Sequence, residues 1–374
     1  MLKAPVPQCK MKDLGIYIHV PFCGRKCGYC DFYSTAYSKA AAEEYVSAVL
    51  RNIRHYSDTE RTADTVYFGG GTPSLLTVSQ IGMILDEIRF CFGLNPEAEI
   101  TLEANPCTLT PQKLSELRSI GINRLSIGVQ SMIDRELQML GRMHNAERAE
   151  RAVLDAANAG FENISCDLMI ALPDQKSADM RFSAEKLAAL PVKHISAYIL
   201  KTEEGTHFDC DDIKGRLPDE DDTAALYLEM AEVLEKHGFF QYEVSNFSLK
   251  GFESRHNCKY WKCDEYLGIG PSAHSCFGGK RFASERDLAS FLQNGIQQVT
   301  VTDDAPCGFE EFAMLRLRLK EGLSFSDMGE HRAEIAAKIP PLIKDGYAET
   351  DGTRIWLTAK GFLMSNSVIS YLIF

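Results

Sequence analysis

The run Tyr17-Ile18-His19-Val20-Pro21-Phe22-Cys23-Gly24-Arg25-Lys26-Cys27-Gly28-Tyr29-Cys30-Asp31-Phe32 decides how the chain is read. Its opening residues are apolar and β-branched, which predicts a strand, and three cysteines follow at C-x3-C-x2-C spacing. Three thiolates on so short a loop can hold three irons of a cubane iron–sulfur cluster and leave the last iron open to another ligand. Short cysteine spacings also serve structural zinc, but zinc sites of that kind need four protein ligands, commonly as two separated pairs. Here Asp31, Phe32 and Tyr33 follow directly and no fourth cysteine stands nearby.

From that strand onward, short β-branched runs alternate with helical stretches, the pattern of parallel β/α units. The runs are Ile16–Val20, Thr65–Phe68, Glu99–Glu103, Arg124–Val129, Asn163–Ile170 and His194–Leu200. Six units predict an incomplete barrel. Between them, Thr110-Pro111 reads as a helix N-cap with Pro in the first turn, and Ala146–Ala159 ends at Gly160. Glu220–His237 carries acidic residues in its first turn and Lys236 and His237 in its last, as the helix dipole favours. In such folds binding groups collect at the C-terminal ends of the strands. Cys23, Gly69–Thr72, Glu103, Gln130 and Asp167 all lie there, so they are expected to meet in one site.

Beyond about Arg281 the alternation stops. Helices over Glu310–Leu319 and Arg332–Asp345, then a hairpin turning at Asp351-Gly352 and a helix from Ala359, predict a smaller, mainly α, winged-helix-like module. The expected division is a disordered lead over 1–14, a barrel with its extension over 15–280 and the C-terminal module over 281–374. DNA binding is the usual use of such a module, but this one has no dense basic recognition helix. Packing as a lid or partner surface is expected instead.

The chain of 374 residues has a formal charge of −12, which argues against broad nucleic-acid or anionic-membrane binding. It has 12 cysteines, with neither a secretory leader nor an apolar run long enough to span a bilayer. A reducing, cytoplasmic setting is therefore expected. The C-terminal Val-Ile-Ser-Tyr-Leu-Ile-Phe is too short for an anchor.

The cysteine triplet, followed by Gly69-Gly70-Gly71-Thr72-Pro73 after a strand, resembles the signature of the radical S-adenosylmethionine (SAM) enzymes. Within that superfamily the chain resembles the oxygen-independent coproporphyrinogen III dehydrogenases and, more closely, their HemW-type haem chaperone relatives. The resemblance runs from about Tyr17 to the C-terminus. It implies a 4Fe-4S cluster on Cys23, Cys27 and Cys30, with SAM chelating the open iron and cleaved by one electron to a deoxyadenosyl radical. It also implies an electron donor such as flavodoxin or ferredoxin. The residues matching the family's SAM pocket are Tyr17, Tyr29, Gly70, Gly71, Thr72, Glu103, Gln130, Arg142 and Asp167. Those side chains suit their roles, since a guanidinium can pair the methionyl carboxylate and carboxylates and amides suit ribose hydroxyls.

Arg255-His256-Asn257-Cys258-Lys259-Tyr260-Trp261, with Gly268-Ile-Gly-Pro-Ser-Ala-His274 close behind, completes the resemblance. His-Asn-x-x-Tyr-Trp is similar to the motif of the haem-chaperone branch, and it implies haem as a further cofactor, with His256 as the iron ligand and Tyr260 and Trp261 against the macrocycle. The alternative for His256 is ordering a loop beneath the substrate opening. Two departures separate the chain from the decarboxylating enzymes. Phe32 stands where their loop commonly carries a further cysteine, and only a short lead precedes Tyr17 where they have a longer arm. The resemblance therefore implies a haem chaperone that binds haem or porphyrin and passes haem to an unidentified acceptor protein. The alternative is an active coproporphyrinogen III oxidase acting on propionate side chains, and a third reading is a metal-stabilised winged-helix regulator.

Overall fold

The computed structural model describes residues 13–374. Residues 1–12 of the expected lead fall outside it, and Asp13 and Leu14 already belong to the first strand. Six parallel strands form the expected partial barrel: β1 (Asp13–Val20), β2 (Thr62–Gly70), β3 (Leu94–Ala104), β4 (Arg124–Gln130), β5 (Asn163–Ile170) and β6 (His194–Ile199). Leu14, Ile16, Ile18 and Val20 on one face of β1 are fully buried and Gly15 and His19 on the other are buried too, as a strand covered on both faces requires. Helices cover the outer face and start where the caps direct: Thr110, Asn145 and Asp219 each accept a backbone N–H of the helix they open.

A seventh parallel strand, β7 (Tyr266–Ile269), pairs with the free edge of β1. The antiparallel strands His274–Phe277, Lys280–Ser284 and Val299–Asp303 extend the same sheet outward from β7. The large sheet thus continues to Asp303, past the boundary expected near Arg281. A second core gathers Ala313, Leu317, Leu323, Ile335, Ile355, Leu357 and Phe362, and we propose to divide the chain between Asp303 and Phe309. This smaller module holds the helices Phe309–Arg316, Arg332–Lys344, Ala359–Leu363 and Ser365–Ile373 and three short antiparallel strands. It is tied to the barrel by backbone bonds from Val244 N–H to Arg318 O (3.1 Å) and from Lys320 N–H to Tyr242 O (2.8 Å). Among the described residues no helix is long and apolar enough to cross a membrane.

The end of β1 and the glycine turn after β2 are bonded to each other. Gly71 N–H donates to Val20 O at 2.8 Å and Thr72 N–H to Phe22 O at 2.7 Å. A Cβ on Gly71 would stand 2.6 Å from Phe22 O, a backbone atom that cannot swing away. Gly71→Ala is expected to lower stability in urea unfolding by about 1–3 kcal/mol, the usual cost of overpacking, and to loosen the cysteine loop; unchanged stability would contradict this reading of the turn.

Candidate functional site

The cysteine loop leaves the barrel mouth at Phe22–Cys23 and returns at Thr35. Its ends are tied by Thr35 N–H to Pro21 O (2.6 Å) and Tyr37 N–H to Cys23 O (3.3 Å). A turn from Cys30 N–H to Cys27 O (3.3 Å) folds the triplet, and Phe208 N–H donates to Gly28 O at 3.1 Å. The Phe208 ring lies so close over Gly28 that a Cβ there would meet it at 2.7 Å. All three thiols are half-buried. Burial pushes the Cys30 thiol up, and Cys27 and Cys23 beside it push it further. Among the described residues no three His, Cys, Asp or Glu side chains converge closely enough to hold a single metal ion.

Two positions beyond the loop turn polar hydrogens toward the sulfurs. Thr72 Oγ1 lies 3.7 Å from Cys23 Sγ, and Arg142 Nη1 lies 3.6 Å from Cys27 Sγ. Arg142 also donates from Nη2 to Gly128 O at 2.5 Å and contacts the Tyr29 hydroxyl, while its buried Nε has no partner. Gly128 marks the point of convergence. A Cβ there would sit 3.1 Å from Arg142 Nη2, 3.2 Å from Gln130 Nε2 and 3.8 Å from Asp167 Oδ2. Gln130 takes φ 74°, a left-handed conformation costly for a side-chain-bearing residue, at an irregularity in the pairing of β4 with β5.

Glu103 and Asp167 form a carboxylate pair in the mouth. Glu103 accepts from Tyr67 OH at 2.9 Å and from Gly70 N–H at 3.2 Å. Burial, then the Asp167 charge, raises it to about 7. Burial likewise lifts Asp167 to about 6, against the pull of Arg142 and a hydrogen bond with Ser196. Gly70, at φ 107°, leaves no room for a side chain against the His19 ring, which a Cβ would meet at 2.7 Å. His19 Nε2 donates to Tyr33 O at 3.2 Å, so its Nδ1 accepts from Tyr17 OH, also at 3.2 Å. The structure thus brings Tyr17, Tyr29, Gly70, Gly71, Thr72, Glu103, Gln130, Arg142 and Asp167 around the cysteine loop.

His256 lies beneath them, its ring stacked on that of Tyr17 with centroids 6.3 Å apart. It opens the helix Arg255–Lys262, which closes the N-terminal end of the barrel with its first amides on Glu99: Arg255 N–H at 3.1 Å and His256 N–H at 3.0 Å. The imidazole is 0% exposed, with Nδ1 2.8 Å from Thr65 Oγ1 and Nε2 2.9 Å from Tyr260 OH. Both nitrogens are occupied, and burial lowers the ring to about 3, so it is neutral. For His256, expected as the ligand of haem iron, this structure shows a ring with both nitrogens hydrogen-bonded and no face on an opening. Trp261 lies on the other side of the helix, under the Arg318 guanidinium at 6.0 Å.

The barrel end of the chain, residues 17–187, matches the Radical SAM superfamily, and residues 309–364 match the HemN C-terminal domain. Proteins named "Heme chaperone HemW" from Lactococcus lactis and Escherichia coli are 33% and 32% identical to it, each over 96% of this chain and 96% and 98% of their own length. The chain belongs to the HemW family of radical SAM proteins. The fold agrees with that of the solved E. coli coproporphyrinogen III oxidase HemN, described as a radical SAM enzyme, at a TM-score of 0.83 over 97% of this chain and 90% of that one, with 23% identity. Membership implies a 4Fe-4S cluster and SAM as cofactors.

In this HemW-family chain several site residues carried no motif. Tyr67 stacks on His256 with ring centroids 5.2 Å apart and reaches Glu103 with its hydroxyl. Ser126 and Ser196 hold Asp167. Arg124, 1% exposed, lies within the barrel with Nε and Nη1 unpartnered, drawn by the charges of Glu99 and Asp167. A period-two signal marks them: Thr65/Tyr67, Glu99/Thr101/Glu103, Arg124/Ser126, Ser165/Asp167 and His194/Ser196 are polar or aromatic at every second position of their strands.

The raised Glu103 sets a pH dependence. Below the ordinary carboxyl range the group is neutral folded and unfolded; between about 4.5 and 7 only the folded state keeps the proton, so stability falls as pH rises. Glu103→Gln keeps an acceptor for Gly70 N–H and lets Tyr67 OH accept in turn. In cluster-free protein without SAM its advantage over the parent in urea unfolding should grow by about 1–3 kcal/mol from pH 5 to pH 8. A difference that is flat with pH would contradict the assignment.

Proposed function

We propose that this chain binds haem and passes it to an acceptor protein, with a 4Fe-4S cluster on Cys23, Cys27 and Cys30 and SAM at the barrel mouth. The observation that carries the reading is the match, over 96% of both chains, to a protein named as a haem chaperone. Phe32, where the decarboxylating relatives commonly carry another cysteine, agrees with it.

The residues fit the cofactors. Three thiols on one short loop, with the charges of Cys27 and Cys23 both felt at Cys30, suit the corners of a cluster. The buried, unpartnered Nε of Arg142 supports its pairing the methionyl carboxylate of SAM. The turn of Gly70, Gly71 and Thr72 lets a ligand approach the backbone, and Glu103, Gln130 and Asp167 offer acceptors and a donor amide for ribose hydroxyls. Tyr17 and Tyr29 wall the pocket from β1 and the loop. When bound, cluster and SAM supply one-electron chemistry, with an electron donor such as flavodoxin or ferredoxin. Tyr67 and Gly70 N–H orient Glu103, and the raised carboxyls let this pair hold a proton near neutral pH.

Arg142→Ala should weaken SAM binding by about 1.5–3 kcal/mol, roughly tenfold or more, in equilibrium titration of protein with its cluster intact. Unchanged affinity would remove Arg142 from the pocket. The function itself is tested by anaerobic incubation of the reconstituted protein with haem and, separately, with coproporphyrinogen III, SAM and reductant. A stable haem spectrum and no porphyrinogen decarboxylation are expected. Turnover at enzyme-like rates of about 1 per second, or no haem spectrum, would overturn the chaperone reading, the first outcome in favour of a coproporphyrinogen III oxidase.

A further inference from the structure

With His256 sealed in the barrel floor, haem iron needs another ligand. The chain has 9 histidines, and the fold disposes of most of them. His19, His144, His194 and His256 are at most 5% exposed. His194 has both nitrogens engaged, with Ser165 Oγ at 2.7 Å and Tyr242 OH at 2.8 Å. His55 and His237 lie at the C-terminal ends of helices that feed the N-terminal ends of strands, away from the mouth. His331 stacks flat on Phe309 at 4.1 Å in the C-terminal module.

His207 and His274 remain, both exposed and both above the strand ends. His207 sits in the segment Glu203-Glu204-Gly205-Thr206-His207-Phe208-Asp209, which has three carboxylates and no arginine, whereas the rim beside His274 sets Arg286 among Asp31, Glu285 and Asp287. His274 lies where the chain turns from β7 into His274–Phe277. A Cβ on Gly270 would meet His19 O at 2.5 Å, so this turn is pressed against the end of β1. The turn is also rigidly built. Gly270 N–H donates to Gln297 Oε1 at 3.1 Å, Ala273 N–H to Ser284 Oγ at 2.9 Å and Gly268 N–H to Ser275 Oγ at 2.9 Å. Ser272 is held at φ 66° by its N–H to Glu285 O at 2.9 Å.

Its neighbours on the rim supply what a macrocycle needs. Arg286, half-exposed, reaches across to Asp31 Oδ1 at 3.3 Å, joining this turn to the cysteine loop. Beside Asp31, Phe32 is 68% exposed, an apolar ring largely open to water.

We propose that His274 is the axial ligand of haem iron, with Phe32 packing on the macrocycle and Arg286 pairing a propionate at the barrel mouth. The inference rests on the haem-binding reading above. An imidazole on a fixed turn is a usual proximal ligand, an apolar ring face covers a porphyrin plane, and a guanidinium pairs a carboxylate in two bonds. In this position haem stands over the opening where SAM and the cluster are proposed, and on the outside, where an acceptor protein can reach it.

The test is haem titration of cluster-containing protein, followed by the Soret band and by electron paramagnetic resonance of the ferric haem. His274→Ala should shift the Soret maximum, change the axial signal and weaken binding by about tenfold or more, while iron and sulfide content stay at parent level. His207→Ala should leave all three haem readouts unchanged. If the parent binds haem and His274→Ala shows the parent's spectrum and affinity, this assignment is overturned and the chaperone reading survives. If His207→Ala alone moves the spectrum, the ligand is His207 and the assignment is likewise overturned. If the parent binds no haem, the chaperone reading falls and this inference with it.

Discussion

Two backbone hydrogen bonds, Gly71 N–H to Val20 O and Thr72 N–H to Phe22 O, join the glycine turn to the end of β1. Everything at the barrel mouth depends on that join. It sets Cys23 at the foot of the loop, turns the Thr72 hydroxyl toward its sulfur and brings Gly70 N–H onto Glu103. Only glycine fits at Gly71, because any Cβ would strike the Phe22 backbone. The glycine run is therefore a packing requirement of the site before it is a ligand cradle.

The barrel lumen is polar from floor to mouth, and a polar group shut away from water must be paired. Tyr67 links the two ends: its ring lies on His256 and its hydroxyl on Glu103. The helix carrying His256 and Tyr260 plugs the floor, with Glu99 on its leading amides and the Lys259 ammonium on Asp64 at 2.8 Å. On its outer side Trp261 meets Arg318 of the C-terminal module. His-Asn-x-x-Tyr-Trp thus reads physically as a closure joining barrel and module.

Much of this was legible in the sequence. β5 was read at Asn163–Ile170 as the structure has it, because Ile164, Cys166, Leu168 and Ile170 are apolar at every second position of a run bounded by turns. Glu103, Gln130, Arg142 and Asp167 converge on one rim because strand ends in parallel folds share it. β7 was missed: Tyr-Leu-Gly-Ile has four residues and sits among Gly and Pro, so neither length nor alternation marks it, although Leu267 and Ile269 are fully buried. With it went the sheet extension that carries His274. His256 was expected at the haem iron from the motif it sits in, and a motif does not tell which end of a barrel a helix covers. Only the pairing of its amides with Glu99 and its ring with Thr65, both far away in sequence, decides that.

Iron-edge anomalous diffraction from crystals of the anaerobically reconstituted, haem-loaded protein tests the division of roles between mouth and floor most directly. Compact density for a four-iron cluster within the loop of Cys23, Cys27 and Cys30, with a separate single iron above the strand ends, is the expected result. A haem iron beside His256 in the barrel floor, or cluster density away from the three thiols, would contradict it.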